Sequence, residues 1–483
     1  MGARSVATSR APRLTGLSAA VVAAAMTLPA VGAHANGAFP DSLNILTPAT
    51  LPHETLLATN FGLVMSFDDE QTWTWSCEQT LNSFATLYQM GASPRNRIFA
   101  ISGAGVIYTD DASCSWNTAG SVAMNTAQDV FPSATDPNRV LAITAVTLDG
   151  GELMYQVRSS SDGGTTFPDV LYTAPSGDHL TGLEISRSSP STIYLTLTSG
   201  TSYVPGMAQS IDNGATWTVH SLATSLATGT YGIRLVEVDP TNPQRVFLRV
   251  SSAAGDALAV TADGGVTATS PLSFPAGAFN AYTHMASGTI IAGGVVGTSN
   301  VAYRSTDDGA TFQALPAALA FRGLSSRGTT LYAASDNVSD GWAIETSPDE
   351  GMTWQPVMRY DQIQAIQTCV SAVCQTDCLA RAGTGQWSSD MCAASVMEAP
   401  IDGGADAGPG VGTHTGGSSG SSGTGGRSGE VPDAGTTGGS AGGNGSSGGC
   451  KCGLGAGEPA PRGTLALVAL ACGLGLAIRR RRR

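Results

Sequence analysis

The eight residues "SIDNGATW", Ser210 to Trp217, decide the fold because close variants of them recur along the chain. Two other well-kept copies are "STDDGATF" from Ser305 and "SPDEGMTW" from Ser347. Aligned as S-x-D-x-G-x-T-W, the stretch has seven copies, and their central acids are Asp68, Asp111, Asp162, Asp212, Asp263, Asp307 and Asp349. Successive acids are 43, 51, 50, 51, 44 and 42 residues apart, so the chain is built from seven repeats.

A second recurring feature lies between these turns: a proline turn followed by a short apolar run. It reads "SPRNRIFAIS" from Ser93, "DPNRVLAIT" from Asp136, "SPSTIYLTL" from Ser189 and "DPTNPQRVFLRV" from Asp239, with weaker forms "SGTIIAGG" and "RGTTLYAAS" in the fifth and sixth intervals. Runs rich in β-branched and aromatic residues with turn residues on both sides are typical of strands. No amphipathic helix of three turns is evident before Asp361.

A repeat of roughly 40–50 residues with several short strands is typical of a β-propeller blade. Seven copies therefore predict an all-β, seven-bladed propeller over residues 36–365; a β-solenoid, whose periods are shorter, is the alternative. We expect "SLNILTPATLPHETLLATNFGLVMS", from Ser42, to provide the inner strands of the first blade. One blade is expected to contain strands from both chain ends, because this removes an open sheet edge.

The repeated turns resemble Asp boxes, also called bacterial neuraminidase repeats, over roughly Asn60 to Val357. Such boxes occur in sialidases, some endoglucanases and sortilin-type receptors. The resemblance implies a structural turn between the last two strands of a blade, in which the aspartate binds backbone N–H groups and the aromatic residue lies between strands. Calcium binding by the seven acids is the alternative, but one carboxylate per turn supplies few of the roughly six to eight oxygens that calcium takes. We expect no metal and no cofactor.

Catalytic patterns are not evident in the sequence. A sialidase would carry an arginine cluster, a Tyr–Glu nucleophile pair, an acidic Asp and an Arg-Ile-Pro signature, and no arginine stands between Arg13 and Asp68. The resemblance to sialidases therefore stops at the repeat. The histidines after the first 35 residues show no metal-binding spacing and are expected in loops or on the surface. They are His53, His179, His220, His284 and His414.

The N-terminus predicts export. Three arginines precede an apolar run from Leu17 to Val31, and the residues just before Asn36 are small. This is the layout of a secretory signal peptide over residues 1–35, with a first transmembrane anchor as the alternative.

The charge balance excludes several partners. Between Asn36 and Pro400 the chain carries 32 acidic residues against 13 arginines, a formal charge of −19, and its single lysine is Lys451. A protein with this much negative charge would repel the phosphates of nucleic acids. We therefore expect no nucleic-acid partner. A Schiff-base lysine or a phosphate-loop lysine is absent from this part of the sequence.

Six cysteines precede the C-terminal region: Cys77, Cys114, Cys369, Cys374, Cys378 and Cys392. Cysteines of exported proteins usually form disulfides. Neighbouring blades could bring Cys77 and Cys114 together, so we expect this pair. The other four lie in a Cys-rich segment over residues 366–400 and are expected to form two further disulfides; a metal site is the alternative, although the spacing matches no common zinc pattern.

The C-terminal region predicts a tether. Residues 401–449 are rich in glycine and serine, which is typical of a flexible linker. Residues 450–483 contain a cysteine pair, a 16-residue apolar run from Gly463 to Ile478 and five terminal arginines. This three-part pattern resembles the MYXO-CTERM sorting signal. The resemblance implies a short transmembrane helix, cleavage by a membrane-embedded sorting protease and attachment at the cell surface through Cys450 or Cys452. Lys451 stands where family members often have glycine, and a plain membrane anchor is the alternative.

Together these features predict a cell-surface, sortilin-like propeller that binds a protein or polysaccharide ligand rather than catalysing a reaction. A glycoside hydrolase that uses two carboxylates brought together across blades is one alternative. A structural component of the envelope is the other. The sequence names no catalytic residue and no ligand-binding residue.

Overall fold

The computed structural model describes residues 40–81, 85–122 and 126–393. The predicted signal peptide, the glycine-rich linker and the sorting signal with its transmembrane helix lie outside these residues.

Seven antiparallel sheets follow one another along the chain. The first three are β1 (Ser42–Leu46), β2 (Thr55–Thr59), β3 (Gly62–Ser66) and β4 (Thr74–Cys77); β5 (Ala85–Met90), β6 (Ile98–Ser102), β7 (Gly105–Thr109) and β8 (Asn117–Thr118); and β9 (Thr126–Pro132), β10 (Val140–Thr147), β11 (Leu153–Ser160) and β12 (Asp169–Thr173). The fourth and fifth are β13 (Asp178–Ile185), β14 (Ile193–Ser199), β15 (Val204–Ser210) and β16 (Thr218–Ser221); and β17 (Thr230–Val238), β18 (Val246–Ser252), β19 (Gly255–Thr261) and β20 (Thr269–Pro275). The last two are β21 (Ala278–His284), β22 (Ile290–Val296), β23 (Ser299–Ser305) and β24 (Gln313–Ala314); and β25 (Phe321–Arg327), β26 (Thr330–Ser335), β27 (Ile344–Ser347) and β28 (Gln355–Met358).

The sheets are the blades of a seven-bladed propeller, as predicted. Each blade packs against the next, and β25 of the seventh blade contacts β1 of the first, which closes the ring. The predicted proline-turn runs form the second strand of blades 2 to 7. The first blade also gains a fifth strand, β29 (Ala365–Ile366), which lies parallel to β4. Strands from both chain ends therefore share one sheet, as expected.

The core lies between the blades. Every residue of β2, β3, β6 and β7 is buried, because a neighbouring blade covers each face of the sheet. Burial on both faces explains why these strands read as short continuous apolar runs rather than as an alternating pattern. Each fully buried large side chain, such as Leu57 or Phe99, contributes roughly 1.5–3 kcal/mol by leaving water.

The innermost strand of every blade carries a β-bulge, at which one residue has no partner on the second strand. These residues are Leu43, Thr86, Gln128, Thr181, Tyr231, Asn280 and Arg322. A bulge bends its strand and re-aims the neighbouring side chains. Strand β17 has a second bulge between Leu235 and Glu237, close to its C-terminal end.

The Cys-rich segment folds onto the first blade. Beyond β29 the chain forms α1 (Ser371–Gly383) and α2 (Ser389–Ala393). Trp387, between the two helices, lies 5.0 Å from Trp75 between ring centroids. None of the described helices is long and apolar enough to cross a membrane.

All six cysteines form disulfides, but the predicted link between Cys77 and Cys114 is wrong. The bonds join Cys77 to Cys374, Cys114 to Cys369 and Cys378 to Cys392. Because β29 runs beside β4, the following segment brings its first two cysteines to the ends of blades 1 and 2. Both propeller cysteines therefore pair with the C-terminal segment, which holds a single internal disulfide instead of the two expected.

Candidate functional site

The two ends of the propeller carry different connections between strands. Since antiparallel strands alternate in direction, the turns between first and second strands lie at the same end as the seven S-x-D turns. We call this end the turn face. The hairpins between second and third strands and the blade-to-blade connections lie at the opposite end, which we call the hairpin face.

Each of the seven repeated aspartates is held within its own turn. In the fourth turn, Asp212 Oδ1 accepts hydrogen bonds from Ser210 Oγ and Thr216 N, both at 2.8 Å, and Oδ2 accepts one from Thr216 Oγ1 at 2.6 Å. The other six turns repeat these bonds. The hydroxyl and N–H of Thr216 hold the pKa of Asp212 at about 2. Both oxygens of the carboxylate are thus engaged within the turn.

The turn needs a left-handed backbone at its fifth position. Gly214 has φ +91° there and donates its N–H to Ser210 Oγ at 2.8 Å. In the first repeat Glu70 takes this position with φ +62°, a conformation that non-glycine residues rarely adopt. Its carboxylate accepts a hydrogen bond from Arg327 Nη2 of the seventh blade at 2.7 Å. The first turn therefore gains a link across the closure of the ring.

A cavity of about 320 Å³ opens where the innermost strands end at the turn face. Blades 2 to 6 line it with the last residues of their innermost strands, including Phe131, Glu184, Glu237, Tyr282 and His284. We call this cavity the channel mouth.

The residues of the channel mouth occupy equivalent positions in successive blades. In blades 2 to 6 the innermost strand leads into a turn closed by the same backbone bond, for example from Ser186 N to Thr192 O at 3.0 Å and from Asp239 N to Arg245 O at 2.9 Å. In each of these blades, the residue two positions before the N–H donor lines the cavity. In blades 2 to 6 these are Gln89, Phe131, Glu184, Glu237 and Thr283.

Glu237 is the most tightly held of these groups. Tyr282 Oη donates a hydrogen bond to Glu237 Oε2 at 3.0 Å, and His284 Nδ1 lies 3.2 Å from the same oxygen. The bulge at Val236 lies next to Glu237 and sets the direction of its side chain. Two donors from blade 6 therefore fix a carboxylate of blade 5.

His284 differs from what the sequence predicts. It ends strand β21, and its side chain is only 5% exposed, so the expectation of a loop or surface position is wrong. Burial is the largest single influence and lowers the pKa of His284, but the hydrogen bond to Glu237 and the charges of Glu237, Asp239 and Asp308 together outweigh it, so the pKa is raised.

Glu184 is the second carboxylate of the channel mouth. Part of its surface remains in contact with solvent, yet burial and then the neighbouring charge of Glu237 raise its pKa well above the ordinary value. The end of its strand is held by Asp129 of blade 3, whose Oδ2 accepts a hydrogen bond from Leu183 N at 3.0 Å. Arg187 is exposed and is the one arginine that lines the cavity.

This arrangement is suited to holding a cation. Two carboxylates face one arginine, and the aromatic rings of Phe131 and Tyr282 lie beside them. Within the described residues no three His, Cys, Asp or Glu side chains are grouped so that they could hold a metal ion. An organic cation, which needs fewer oxygen ligands than a metal, fits this site better.

Sequence reasoning missed this site because its residues come from separate strands. One signal was present: Glu184 and Glu237 both stand one residue before the end of an apolar strand, in "LEIS" and "VEVD". A carboxylate between two apolar residues is unusual, since charged groups are rarely buried without partners. Because the same pattern occurs in two successive repeats, it indicated that Glu184 and Glu237 occupy equivalent positions with a role beyond packing.

Comparison with known proteins finds distant structural similarity and no family. No family model matches the chain, and no curated protein matches it. A GH74 enzyme of Niastella koreensis is 15% identical with a TM-score of 0.36, covering 66% of each chain. YCF48 from Cyanidioschyzon merolae is 12% identical with a TM-score of 0.40, covering 61% of this chain and 92% of its own. A Hadza microbial sialidase is 12% identical with a TM-score of 0.37, covering 59% and 71%.

Proposed function

We propose that the protein is an exported binding module, displayed at the cell surface, that holds a lysine or arginine side chain of a protein ligand in the channel mouth. The observation that carries the proposal is the carboxylate of Glu237, fixed by Tyr282 and His284 inside a cavity that it shares with Glu184. A fixed acceptor gains affinity because little conformational freedom is lost when the ligand binds.

Charge supports a cationic ligand. The body of the chain carries a formal charge of −19 between Asn36 and Pro400. An acidic surface draws cations toward it, and a cleft that is lined by carboxylates concentrates this attraction. A bound ammonium or guanidinium group would also offset the repulsion between Glu184 and Glu237, which share the cavity. Charge-assisted hydrogen bonds to carboxylates are among the stronger ones in proteins.

The size of the cavity favours a side chain over a larger group. At about 320 Å³ it lies at the lower end of ligand sites, which span roughly 300–1,000 Å³. The rings of Phe131 and Tyr282 can cover the aliphatic part of a lysine or arginine, while the carboxylates take the charged end.

The seven S-x-D turns are proposed as Asp boxes with a scaffold role. Both carboxylate oxygens of each aspartate accept hydrogen bonds from donors of its own turn, which leaves little capacity for a calcium ion. The indole of Trp217 extends this scaffold between blades, because its Nε1 donates to Leu171 O of blade 3 at 3.0 Å.

Display at the cell surface rests on three features. The disulfides require an oxidising compartment, which agrees with export. The glycine- and serine-rich residues 401–449 would act as a tether. Residues 450–483 would act as the sorting signal.

Calorimetric titration tests the proposal at roughly physiological ionic strength, where weak surface attraction is screened. The probes are the blocked peptides acetyl-Lys-Lys-Lys-amide, acetyl-Ser-Ser-Ser-amide and acetyl-Glu-Glu-Glu-amide. We expect saturable, one-to-one binding of the lysine peptide alone. Equal binding of the glutamate peptide, or no binding of the lysine peptide, would overturn the proposal.

A second candidate function, glycoside hydrolysis, is favoured by one observation. Glu184 and Glu237 place two carboxyl groups in one cavity, and Glu184 has the raised pKa that suits a general acid. Release of reducing ends from neutral polysaccharides measures this activity. Activity that is lost in Glu184→Gln would establish the enzyme, and its absence in the wild type would leave the binding role.

A further inference from the structure

The hairpin face of blades 3 and 4 carries a row of three aromatic rings. Tyr155 lies on β11, His179 on β13 and Tyr203 in the hairpin between β14 and β15. The ring centroids of Tyr155 and His179 are 5.2 Å apart, and those of His179 and Tyr203 are 6.2 Å apart. This row is at the opposite end of the propeller from the channel mouth.

Exposure increases along the row. Tyr155 is 7% exposed and its Oη lies 3.2 Å from His179 Nδ1. Tyr203 is 49% exposed. The buried tyrosine thus holds the imidazole, and the imidazole lies against the ring that is presented to solvent.

The backbone of Tyr203 adopts a left-handed conformation that is unusual for an aromatic residue. Its φ is +51°, and it is the one aromatic residue with a positive φ among the described parts of the chain. A bulky residue in the left-handed region is destabilising, and such residues cluster at functional sites. A glycine would relieve the strain and remove an exposed ring from water. The half-exposed ring of Tyr203 is therefore available to a ligand outside the protein.

The segments of chain that carry the row are polar and contribute no positively charged residue. Residues 148–156, 174–180 and 198–205 contain no lysine or arginine, but they contain Asp149, Glu152 and Asp178. Ser176 Oγ donates to Glu152 Oε1 at 2.5 Å, which fixes one of these carboxylates. Carboxylates accept hydrogen bonds from sugar hydroxyls and repel anionic ligands.

We propose that Tyr203 and His179 form a stacking site for a neutral sugar chain on the hairpin face. The apolar C–H face of a pyranose ring would lie on the ring of Tyr203, and its hydroxyls would donate to Glu152 and Asp178. This site is separate from the channel mouth. The proposal of a sugar site does not depend on whether a cationic ligand binds in the channel mouth.

Affinity measurements with defined hexasaccharides test this site. The neutral probes are linear chains of β-1,4-linked glucose, β-1,3-linked glucose and β-1,4-linked mannose, and the anionic probe is a chain of galacturonic acid. We expect at least one neutral chain to bind and the anionic chain not to bind. Tyr203→Ala should weaken the binding by roughly tenfold, the size expected for one aromatic contact. Tyr203→Phe, which keeps the ring, should retain it.

Ile211→Ala is the matched control, because Ile211 is an exposed residue of the turn face. It should leave the affinity for the sugar chain unchanged. Circular dichroism of each variant checks that the fold is kept, and Tyr203→Gly, which relieves the strain, gives a second variant without the ring. The proposal is overturned if no neutral chain binds the wild type, if Tyr203→Ala binds as well as Tyr203→Phe, or if the anionic chain binds best.

Discussion

Tyr282 Oη donates a hydrogen bond to Glu237 Oε2 at 3.0 Å and so joins the sixth blade to the fifth at the channel mouth. The same oxygen lies 3.2 Å from His284 Nδ1. Glu237 is thus held by groups that come from one neighbouring strand, while its own strand bulges beside it. The protein itself thus fixes the carboxylate that we propose as the acceptor for a ligand.

Binding of the lysine peptide should depend on pH through His284. Burial lowers the pKa of His284, but the hydrogen bond to Glu237 and the nearby charges of Glu237, Asp239 and Asp308 together raise it above 6.5. Protonated His284 neutralises Glu237, so the affinity for a cation should fall as pH decreases through this raised pKa. We expect weaker binding at pH about 6 than at about 9. His284→Asn, which keeps a donor but does not titrate, should show a smaller change, and an equal change in both proteins would contradict this role.

Asp212→Ala should destabilise the fourth blade, because Thr216 N and Ser210 Oγ lose their acceptor. The variant should unfold at a lower denaturant concentration than the wild type. Asp169→Ala removes an exposed carboxylate from the outer strand of the third blade and should leave the midpoint unchanged. An unchanged midpoint for Asp212→Ala together with lost ligand binding would show that the turns are binding sites.

The disulfide between Cys77 and Cys374 should matter more for stability than Cys378–Cys392, because it ties the C-terminal segment to the first blade and still closes a loop of roughly 40 residues when Cys114–Cys369 is intact. With Cys114–Cys369 intact, serine at both positions should lower the free energy of unfolding by about 4 kcal/mol. Cys378 and Cys392 are only 14 residues apart and serve as the matched pair. Replacing both with serine should lower the free energy of unfolding by a smaller amount. Chemical denaturation measures both. Peptide mapping that links Cys77 to Cys114 would contradict the pairing.

The repeat determined how much of the fold could be predicted. Each S-x-D turn marks a hairpin by local hydrogen bonds, so spacing along the sequence was enough to count the blades. The partner of Cys77 was not predictable, because it depends on how the chain after β29 lies against β4. The channel mouth needed the same kind of information: Glu237 and Tyr282 are 45 residues apart and meet only when two blades pack.

The sorting signal proposed for residues 450–483 predicts a processed mature protein. Its apolar run of 16 residues is short for a permanent span, which takes roughly 20. We expect the mature chain to end near Cys450 or Cys452 and to lack the arginine tail. Serine at both positions should leave the tail uncut. Intact-mass measurement decides this, and a surface protein that still extends to Arg483 would indicate a plain anchor.

The affinity of Glu237→Gln for the lysine peptide tests the central claim most directly. This variant keeps the size of the side chain but removes the charge that Tyr282 and His284 hold in place. Asp169→Asn changes the net charge equally at an exposed strand and serves as the control. We predict that Glu237→Gln binds the peptide roughly 10–100-fold more weakly than Asp169→Asn, the loss expected for a hydrogen bond to a charged group. Equal affinities for the two variants would show that the ligand does not bind in the channel mouth.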